Sequence, residues 1–167
     1  KITFCRFNIY CIDWGERNQS ISEVTFDKIY HNIQEYLIQE VNFSYKGNVI
    51  SDSKIAYGIE LLTEERWYTQ FAENIFRNDK FFDLDEVIKI YHAPSFFLKC
   101  KLDRINNNNF VILHPDKKII LIGGTGYSGE IKKSVFSLLN IILVNQDVLP
   151  MHCSANYDYK YGTTLYF

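Results

Sequence analysis

The stretch IILIGGTGYSGEIKKSVFSLLNIILVNQDVLPMHCSAN, residues 119–156, decides how this chain folds and carries its strongest chemical signals. It begins with an apolar run typical of a buried strand and continues through a glycine-rich turn. A predicted amphipathic helix follows, and its first turn holds the adjacent lysines Lys132 and Lys133. A second apolar segment then leads to His152 and Cys153.

The glycines of this turn match one phosphate-binding motif and miss another. Gly124, Gly126 and Gly129 have the G-x-G-x-x-G spacing of a dinucleotide site, where the backbone approaches a pyrophosphate at a helix N-terminus. Asp147 follows at the expected distance of about 20 residues, but too few residues come after the motif for the further β–α units of that fold. A triphosphate loop requires Lys-Ser/Thr where Glu130 follows Gly129. A small nucleotide- or metabolite-binding module at this turn stays an alternative interpretation.

Length and composition are those of an ordinary globular protein. The chain has 167 residues, enough for one domain with a buried core. Its hydrophobic content of 47% and charged content of 23% are typical, and a net charge of -2 gives no electrostatic case for nucleic acid or an anionic membrane. No apolar run reaches the ~18 residues of a membrane-spanning helix. The four cysteines lack C-x-x-C spacing, which favours reduced thiols in an intracellular compartment.

The hydrophobic pattern predicts an α/β fold, a mixed β-sheet with packed helices. Strands are expected over residues 2–12, 41–45, 55–62, 87–91, 110–113 and 118–122, with a polar connection over 47–54. Helices are expected after Ser20, after Thr63 and over residues 129–144.

Local signals predict how these helices begin and which faces they bury. Ser20 and Glu23 form a capping box for the first helix, and Thr63 is placed to cap the second. The residues expected to face the core are Phe26, Ile29, Tyr30, Ile33 and Leu37 in the first helix, Trp67, Phe71 and Ile75 in the second, and Ile131, Val135, Leu138, Leu139 and Ile142 in the third. His114 lies in a tight hairpin signal and is expected to be solvated.

The central stretch closely resembles the ATP-dependent phosphoenolpyruvate carboxykinases. The resemblance is carried by the pattern GGTxYxGExKK and by MHCSAN at residues 151–156. Thinner matches upstream extend it over nearly the whole chain, at Trp14-Gly15, Asn18, Phe26, Thr63-Glu64, Trp67, Phe71-Ala72, Asn74, Phe76, Ala93-Pro94 and Phe96. The resemblance implies a single domain, residues 1–167, similar to the N-terminal domain of that family and lacking its nucleotide-binding C-terminal domain.

The resemblance also implies roles for four side chains. Carboxykinases decarboxylate oxaloacetate and phosphorylate the enolate with ATP in gluconeogenesis, using a divalent metal, usually Mn²⁺. Lys133 and His152 match two protein ligands of that metal, a lysine binding only as the neutral amine. Tyr127 matches the tyrosine that contacts the carboxylate or departing carbon dioxide, and Lys132 would hold anionic substrate. The lysines lie at the end of the helix dipole that disfavours cations by about 0.3–1 kcal/mol per charge, which a bound anion would offset.

The family's substrate-clamping arginine and its phosphate loop are absent from this sequence, and the ATP site is therefore absent from this chain. We expect a truncated, non-catalytic domain that acts as a structural or binding subunit with a protein partner. The alternative is an N-terminal fragment of an active carboxykinase, a carboxy-lyase that binds oxaloacetate and phosphoenolpyruvate once the missing half is present. Lys1 and the apolar end at Phe167 give both ends the look of a cut chain. The family implies a cytoplasmic protein, with the mitochondrion as the alternative.

Overall fold

The computed structural model describes residues 2–5, 12, 14, 18–40, 42–50, 52, 54–76, 86–98 and 109–167. The strands are β1 (Ile2–Cys5), β2 (Asn18–Ile21), β3 (Phe43–Val49), β4 (Tyr57–Thr63), β5 (Val87–Ala93), β6 (Phe110–His114), β7 (Ile119–Gly123), β8 (Ser154–Asp158) and β9 (Gly162–Tyr166). The helices are α1 (Glu23–Gln39), α2 (Arg66–Ile75) and α3 (Gly129–Ile142), with a 3₁₀ turn at Val144–Gln146.

Seven strands form one mixed sheet in the order β2-β1-β6-β7-β5-β4-β3, which confirms the predicted fold class. β4, β5 and β7 are parallel neighbours, while β6–β7 and β3–β4 pair antiparallel. Every residue of β6 and β7 is buried, as expected for strands at the centre of a sheet covered on both faces. β8 and β9 form a separate two-stranded hairpin.

Helices cover the two faces of the sheet. α1 packs on one face through Phe26, Ile29, Ile33 and Leu37, all fully buried, with Tyr30 half-buried beside them. α2 and α3 pack on the other face. In α3 the predicted residues Ile131, Val135, Leu138 and Leu139 are buried, and Ile142 is partly buried against the same core. None of the helices in the described ranges has the length and apolarity needed to cross a bilayer.

The start of α1 differs from the predicted capping box. Ser20 belongs to β2, and the N-cap is Ser22, whose Oγ accepts a 3.2 Å hydrogen bond from the backbone N–H of Thr25. β2 pairs in parallel with β1, and this pairing uses Ser20 and Ile21 as strand residues. The cap therefore falls on the next serine along the chain.

The predicted stripe of α2 is not the face that the helix buries. Trp67 is 42% exposed and Phe71 is half-buried, and of the three predicted residues Ile75 is partly buried against the core, whereas the buried residues are Tyr68, Thr69 and Ala72. Thr63 does not cap the helix, because it ends β4 and its hydroxyl is hydrogen-bonded to a buried histidine. The N-cap position is occupied by Glu65, which makes no side-chain cap.

Two more predictions are corrected by the sheet. β3 continues to Val49, because Gly47 and Asn48 pair with β4 where a polar connection was expected. His114 is buried rather than solvated: it ends β6, and its ring packs edge-on against Phe26 at a centroid distance of 4.7 Å. Burial lowers the pKa of His114 and raises that of the free Cys5 thiol to about 11. Cys153 is also a free thiol, and Cys11 and Cys100 lie outside the described residues.

A tight contact fixes the register of the central hairpin. Phe110 pairs with Gly123 across β6 and β7, and the phenyl ring lies directly over the glycine. A Cβ atom added at Gly123 would lie 2.3 Å from the ring, closer than any real contact allows. Phe110 thus occupies space that only a glycine leaves free, at the strand end where the glycine-rich turn begins.

We expect Gly123→Ala to lower the free energy of unfolding by about 1–3 kcal/mol, since the buried ring of Phe110 has little room to move. Urea denaturation measures this change. In a Phe110→Leu background, where the ring is absent, the same substitution should be clearly less costly. Equal losses in both backgrounds would show that the ring is not the source of the strain.

Candidate active-site groove

The glycine-rich turn lies at the carboxyl ends of three parallel strands. Thr63, Ala93 and Gly123 end β4, β5 and β7, and the turn follows directly from the last of them. Gly124 has a left-handed φ of 70°, and its N–H donates to the carbonyl of Ala93 at 3.2 Å. Ligands of open α/β sheets bind beyond the carboxyl ends of the strands, which makes this edge the expected place for a site.

The two faces of α3 have different surroundings. Gly129, Lys132, Lys133 and Phe136 are spaced i, i+3, i+4 and i+7, and they share one face of the helix. All four line a surface groove, whereas the opposite face packs into the core. The same helix therefore anchors the fold and presents two lysines to solvent.

The groove has a volume of about 900 Å³ and brings the predicted site residues together. Tyr127, Lys132, Lys133 and His152 all line it. The other lining residues are Phe71, Ser128, Gly129, Phe136, Met151, Cys153, Ser154, Tyr166 and Phe167. Within the described part of the chain this lining holds two lysines and a histidine but no Asp or Glu side chain, so its side chains suit an anion despite the net charge of -2.

Tyr127 and Lys133 contact each other in the groove. The Nζ atom of Lys133 lies 4.8 Å from the centroid of the Tyr127 ring, within the range of a cation–π interaction. The ring also lies against Gly129, where an added Cβ would be 2.5 Å from it. Tyr127 is 57% exposed, so part of its side chain remains accessible to a ligand.

His152 reaches the groove because the chain reverses after α3. The 3₁₀ turn Val144–Gln146 is followed by Asp147 in the left-handed region, at φ 59°, and the N–H of Val148 donates to the Leu143 carbonyl at 3.0 Å. The returning segment brings the His152 ring to 5.8 Å from that of Phe136, on the groove face of α3. Asp147 is used to turn the chain and is exposed.

The dinucleotide interpretation does not agree with this geometry. The strand–turn–helix unit exists as β7, the glycine turn and α3. Residues 143–167, all of them described, add no further strand to the main sheet, because β8 pairs only with β9. Asp147, the acidic residue that follows the motif at the expected distance, is part of an exposed turn. The parallel strand that would follow such a helix is therefore missing from this region.

Comparison with known proteins agrees with the residue pattern. A family model described as phosphoenolpyruvate carboxykinase matches residues 9–167. The phosphoenolpyruvate carboxykinase (ATP) of Bacillus velezensis is 39% identical over 160 residues, covering 93% of this chain and 30% of that protein. That of Staphylococcus aureus strain Newman is 39% identical over 161 residues, with the same shares covered. The chain belongs to the phosphoenolpyruvate carboxykinase family. It corresponds to the N-terminal part of these carboxykinases and spans 30% of their length.

The donors in the groove fit part of a carboxykinase metal site. The imidazole of His152 and the amine of Lys133 are nitrogen ligands on the same groove, and nitrogen ligands suit transition metals. Among the described residues, those of the groove included, no group of three or more His, Cys, Asp or Glu side chains is placed to hold a metal ion. A metal held by these two side chains would need its remaining ligands from substrate, water or further protein.

A buried polar network below the turn was missed by the sequence analysis. His92 of β5 is fully buried, its Nδ1 shares a 2.8 Å hydrogen bond with the Thr63 hydroxyl, and its Nε2 makes no well-formed hydrogen bond to the described residues. Burial lowers the pKa of His92 to about 4, and the Thr125 backbone offsets this only in part. The ring is therefore neutral at physiological pH. The sequence signal that could have indicated this buried residue is the position of a histidine at the end of an apolar strand, two residues before Pro94.

The depressed pKa of His92 predicts acid sensitivity. The unfolded chain takes up the proton near pH 6.5 and the folded chain only near pH 4, so stability is complete above 6.5 and is lost between 6.5 and 4. We expect this residue to account for about 3 kcal/mol of that loss. Urea denaturation across this pH range measures it.

His92→Asn is the matched comparison, because its amide can keep the bond to Thr63 but does not titrate. Its stability should fall less steeply with acid than that of the wild type. His114 and the carboxylates contribute equally to both proteins, so parallel pH curves would contradict the assignment to His92.

Proposed function

We propose that this chain forms the metal- and carboxylate-binding half of a phosphoenolpyruvate carboxykinase active site and does not transfer phosphoryl groups by itself. The observation that carries the proposal is the single groove lined by Tyr127, Lys132, Lys133 and His152. In this assignment Lys133 and His152 would hold Mn²⁺, and Lys132 and Tyr127 would hold a substrate carboxylate. When bound, the metal would act as a Lewis acid on a substrate oxygen.

The side chains of the groove support binding of a small dicarboxylate such as oxaloacetate. Lys132 and Lys133 lie on the same helix face, in the first turns of α3, where the helix dipole also favours an anion. The Tyr127 hydroxyl can donate a hydrogen bond to a carboxylate oxygen. Phe71 and Phe136 supply apolar walls that reduce competition from water for these charged contacts.

Phosphoryl transfer needs groups that this sequence does not contain. It depends on a phosphate-cradling loop, metal ions and cations that neutralise the transferring group. None of the eight glycines in the sequence is followed by lysine, so no Gly-Lys-Ser/Thr motif is present. The proposal thus has two forms: a non-catalytic subunit of a larger assembly, or the N-terminal part of an active ATP-dependent enzyme that forms phosphoenolpyruvate, ADP and carbon dioxide. The coverage of 30% of the relatives supports both forms.

The β8–β9 hairpin supports a partner surface in either form. All of its residues except Gly162 are exposed, and it carries the aromatic side chains Tyr157, Tyr159, Tyr161 and Tyr166. A two-stranded hairpin is marginally stable in water without a packing surface. We place the contact with a protein partner, or with the rest of a carboxykinase, on this hairpin.

The purified 167-residue chain should show no oxaloacetate-dependent consumption of ATP in a coupled assay with Mn²⁺. Adding the remaining part of the Bacillus velezensis carboxykinase as a second polypeptide distinguishes the two forms. Restored turnover, lost again in Lys133→Ala, would favour the enzyme form, and continued inactivity would favour the binding subunit. Turnover by the chain alone would refute the proposal.

The chain alone should bind Mn²⁺ weakly, as measured by electron paramagnetic resonance of free Mn²⁺. Lys133→Ala and His152→Ala should each abolish measurable binding, and oxalate should bind only when Mn²⁺ is present.

Lys160→Ala is the matched control, since the Nζ atom of Lys160 also lies over a tyrosine ring, 5.0 Å from the centroid of Tyr161, but outside the groove. It should bind Mn²⁺ as the wild type does. Unchanged affinity in both Lys133→Ala and His152→Ala would assign these two residues to structure alone.

A further inference from the structure

Three buried side chains connect α2 and the sheet to the glycine turn. The hydroxyl of Tyr68 donates a hydrogen bond to the Gly126 carbonyl at 3.1 Å. The Tyr68 ring packs edge-on against His92, with the ring centroids 4.3 Å apart. His92 is held in turn by its 2.8 Å hydrogen bond with Thr63. All three side chains are buried, so the chain of contacts is rigidly packed.

The hydrogen bond from Tyr68 to Gly126 restrains the next residue, Tyr127, which lines the groove. The carbonyl of Gly126 and the N–H of Tyr127 belong to one planar peptide group, so fixing one atom of the group orients the other. The Tyr127 N–H donates to the Thr125 hydroxyl at 3.2 Å, and both polar atoms of this peptide group are therefore hydrogen-bonded. Glycines make the turn intrinsically free to adopt several conformations, so this restraint has a large effect on where Tyr127 points.

Steric contact reinforces the restraint. A Cβ added at Gly126 would lie 3.1 Å from the Tyr68 hydroxyl oxygen, which shows that the tyrosine reaches to the backbone itself. On its other side, Tyr127 is limited by its contact with Gly129 and by Lys133 above its ring. Tyr68 therefore restrains the backbone that carries Tyr127, and Gly129 and Lys133 of α3 restrain the Tyr127 ring.

We propose that Tyr68 and His92 are positioning residues that hold the Gly126–Tyr127 peptide group so that Tyr127 faces the groove. Neither side chain lines the groove, so both act through the turn. The inference deepens the proposed function and rests on it for the role of Tyr127 in carboxylate binding. The orientation of the turn itself does not depend on any ligand.

The test is Tyr68→Phe, which removes one hydroxyl and keeps the ring against His92. Tyr45→Phe is the matched control: the Tyr45 hydroxyl is also buried and donates to a backbone carbonyl, that of Phe76, at 3.3 Å. It belongs to the same core as Tyr68 but lies at the opposite end of α2 from the turn. Both variants should lower the melting temperature to a similar, small extent.

The direct readout is the ¹⁹F NMR signal of 3-fluorotyrosine placed at position 127 alone. Tyr68→Phe should shift and broaden this signal, and Tyr45→Phe should leave it as in the wild type. His92→Asn keeps the bond to Thr63 but removes the ring on which Tyr68 packs, so it should change the signal as Tyr68→Phe does. A signal that is the same in the wild type, Tyr68→Phe and Tyr45→Phe would overturn the inference.

The second readout is the affinity for oxalate in the presence of Mn²⁺. Tyr68→Phe should weaken it about three- to tenfold, the effect of losing one positioning hydrogen bond, and Tyr45→Phe should not change it. If the wild type itself binds no oxalate, the proposed function fails, but the ¹⁹F signal still decides whether Tyr68 and His92 position Tyr127. A changed signal with unchanged oxalate affinity would refute the functional role of that positioning.

Discussion

The carbonyl oxygen of Ala93 connects the sheet to the glycine turn that borders the groove. It accepts two backbone hydrogen bonds, from Phe96 at 3.0 Å and from Gly124 at 3.2 Å. The first closes the turn after β5, and the second ties the glycine turn to that strand. This shared acceptor fixes where the chain leaves β7, and α3 begins from that place over the sheet. The carboxylate of Glu64 adds a further connection by accepting from the Ser95 N–H at 3.0 Å, which joins the end of β4 to the same edge.

The groove concentrates positive charge in a chain whose net charge is -2. Lys132 and Lys133 occupy the end of α3 where the helix dipole disfavours cations, and no Asp or Glu side chain lines the groove to neutralise them within the described residues. An arrangement that is slightly unfavourable in the free protein becomes favourable when an anion is bound. In the free protein, the cation–π contact with the ring of Tyr127 partly offsets the unfavourable position of the Lys133 charge.

The groove contains some of the groups that the proposed function requires, those for binding a metal and a carboxylate. Nitrogen donors and cations line a common space, but the described residues include no group of three His, Cys, Asp or Glu side chains placed to hold a metal ion, and the sequence contains no phosphate loop. In the proposed function, this surface would bind a metal and a carboxylate, which a few fixed charges can recognise. Stabilising a transferring phosphoryl group would require a further set of cations, because its charge is spread over several oxygens.

The sequence by itself determined the elements with strong local signals. The i, i+3, i+4 pattern of α1 had one apolar face, so its buried residues were predicted correctly. The hairpin of β6 and β7 and the helix after the glycine turn were likewise fixed by apolar runs and turn residues. The spacing of GGTxYxGExKK and MHCSAN identified the family and the four groove residues, because each pattern places several chemically distinct side chains at set intervals.

Only the tertiary structure decided which of two apolar faces α2 would bury. Trp67, Phe71 and Ile75 are as regularly spaced as Tyr68 and Ala72, and the choice depends on the sheet and the turn that the helix packs against. For the same reason His114 and His92 could not be assigned from their neighbours in sequence: Phe26 buries one and Tyr68 packs on the other, from distant parts of the chain. Local patterns specify periodicity, whereas burial and hydrogen-bond partners depend on residues that become neighbours only when the sheet assembles.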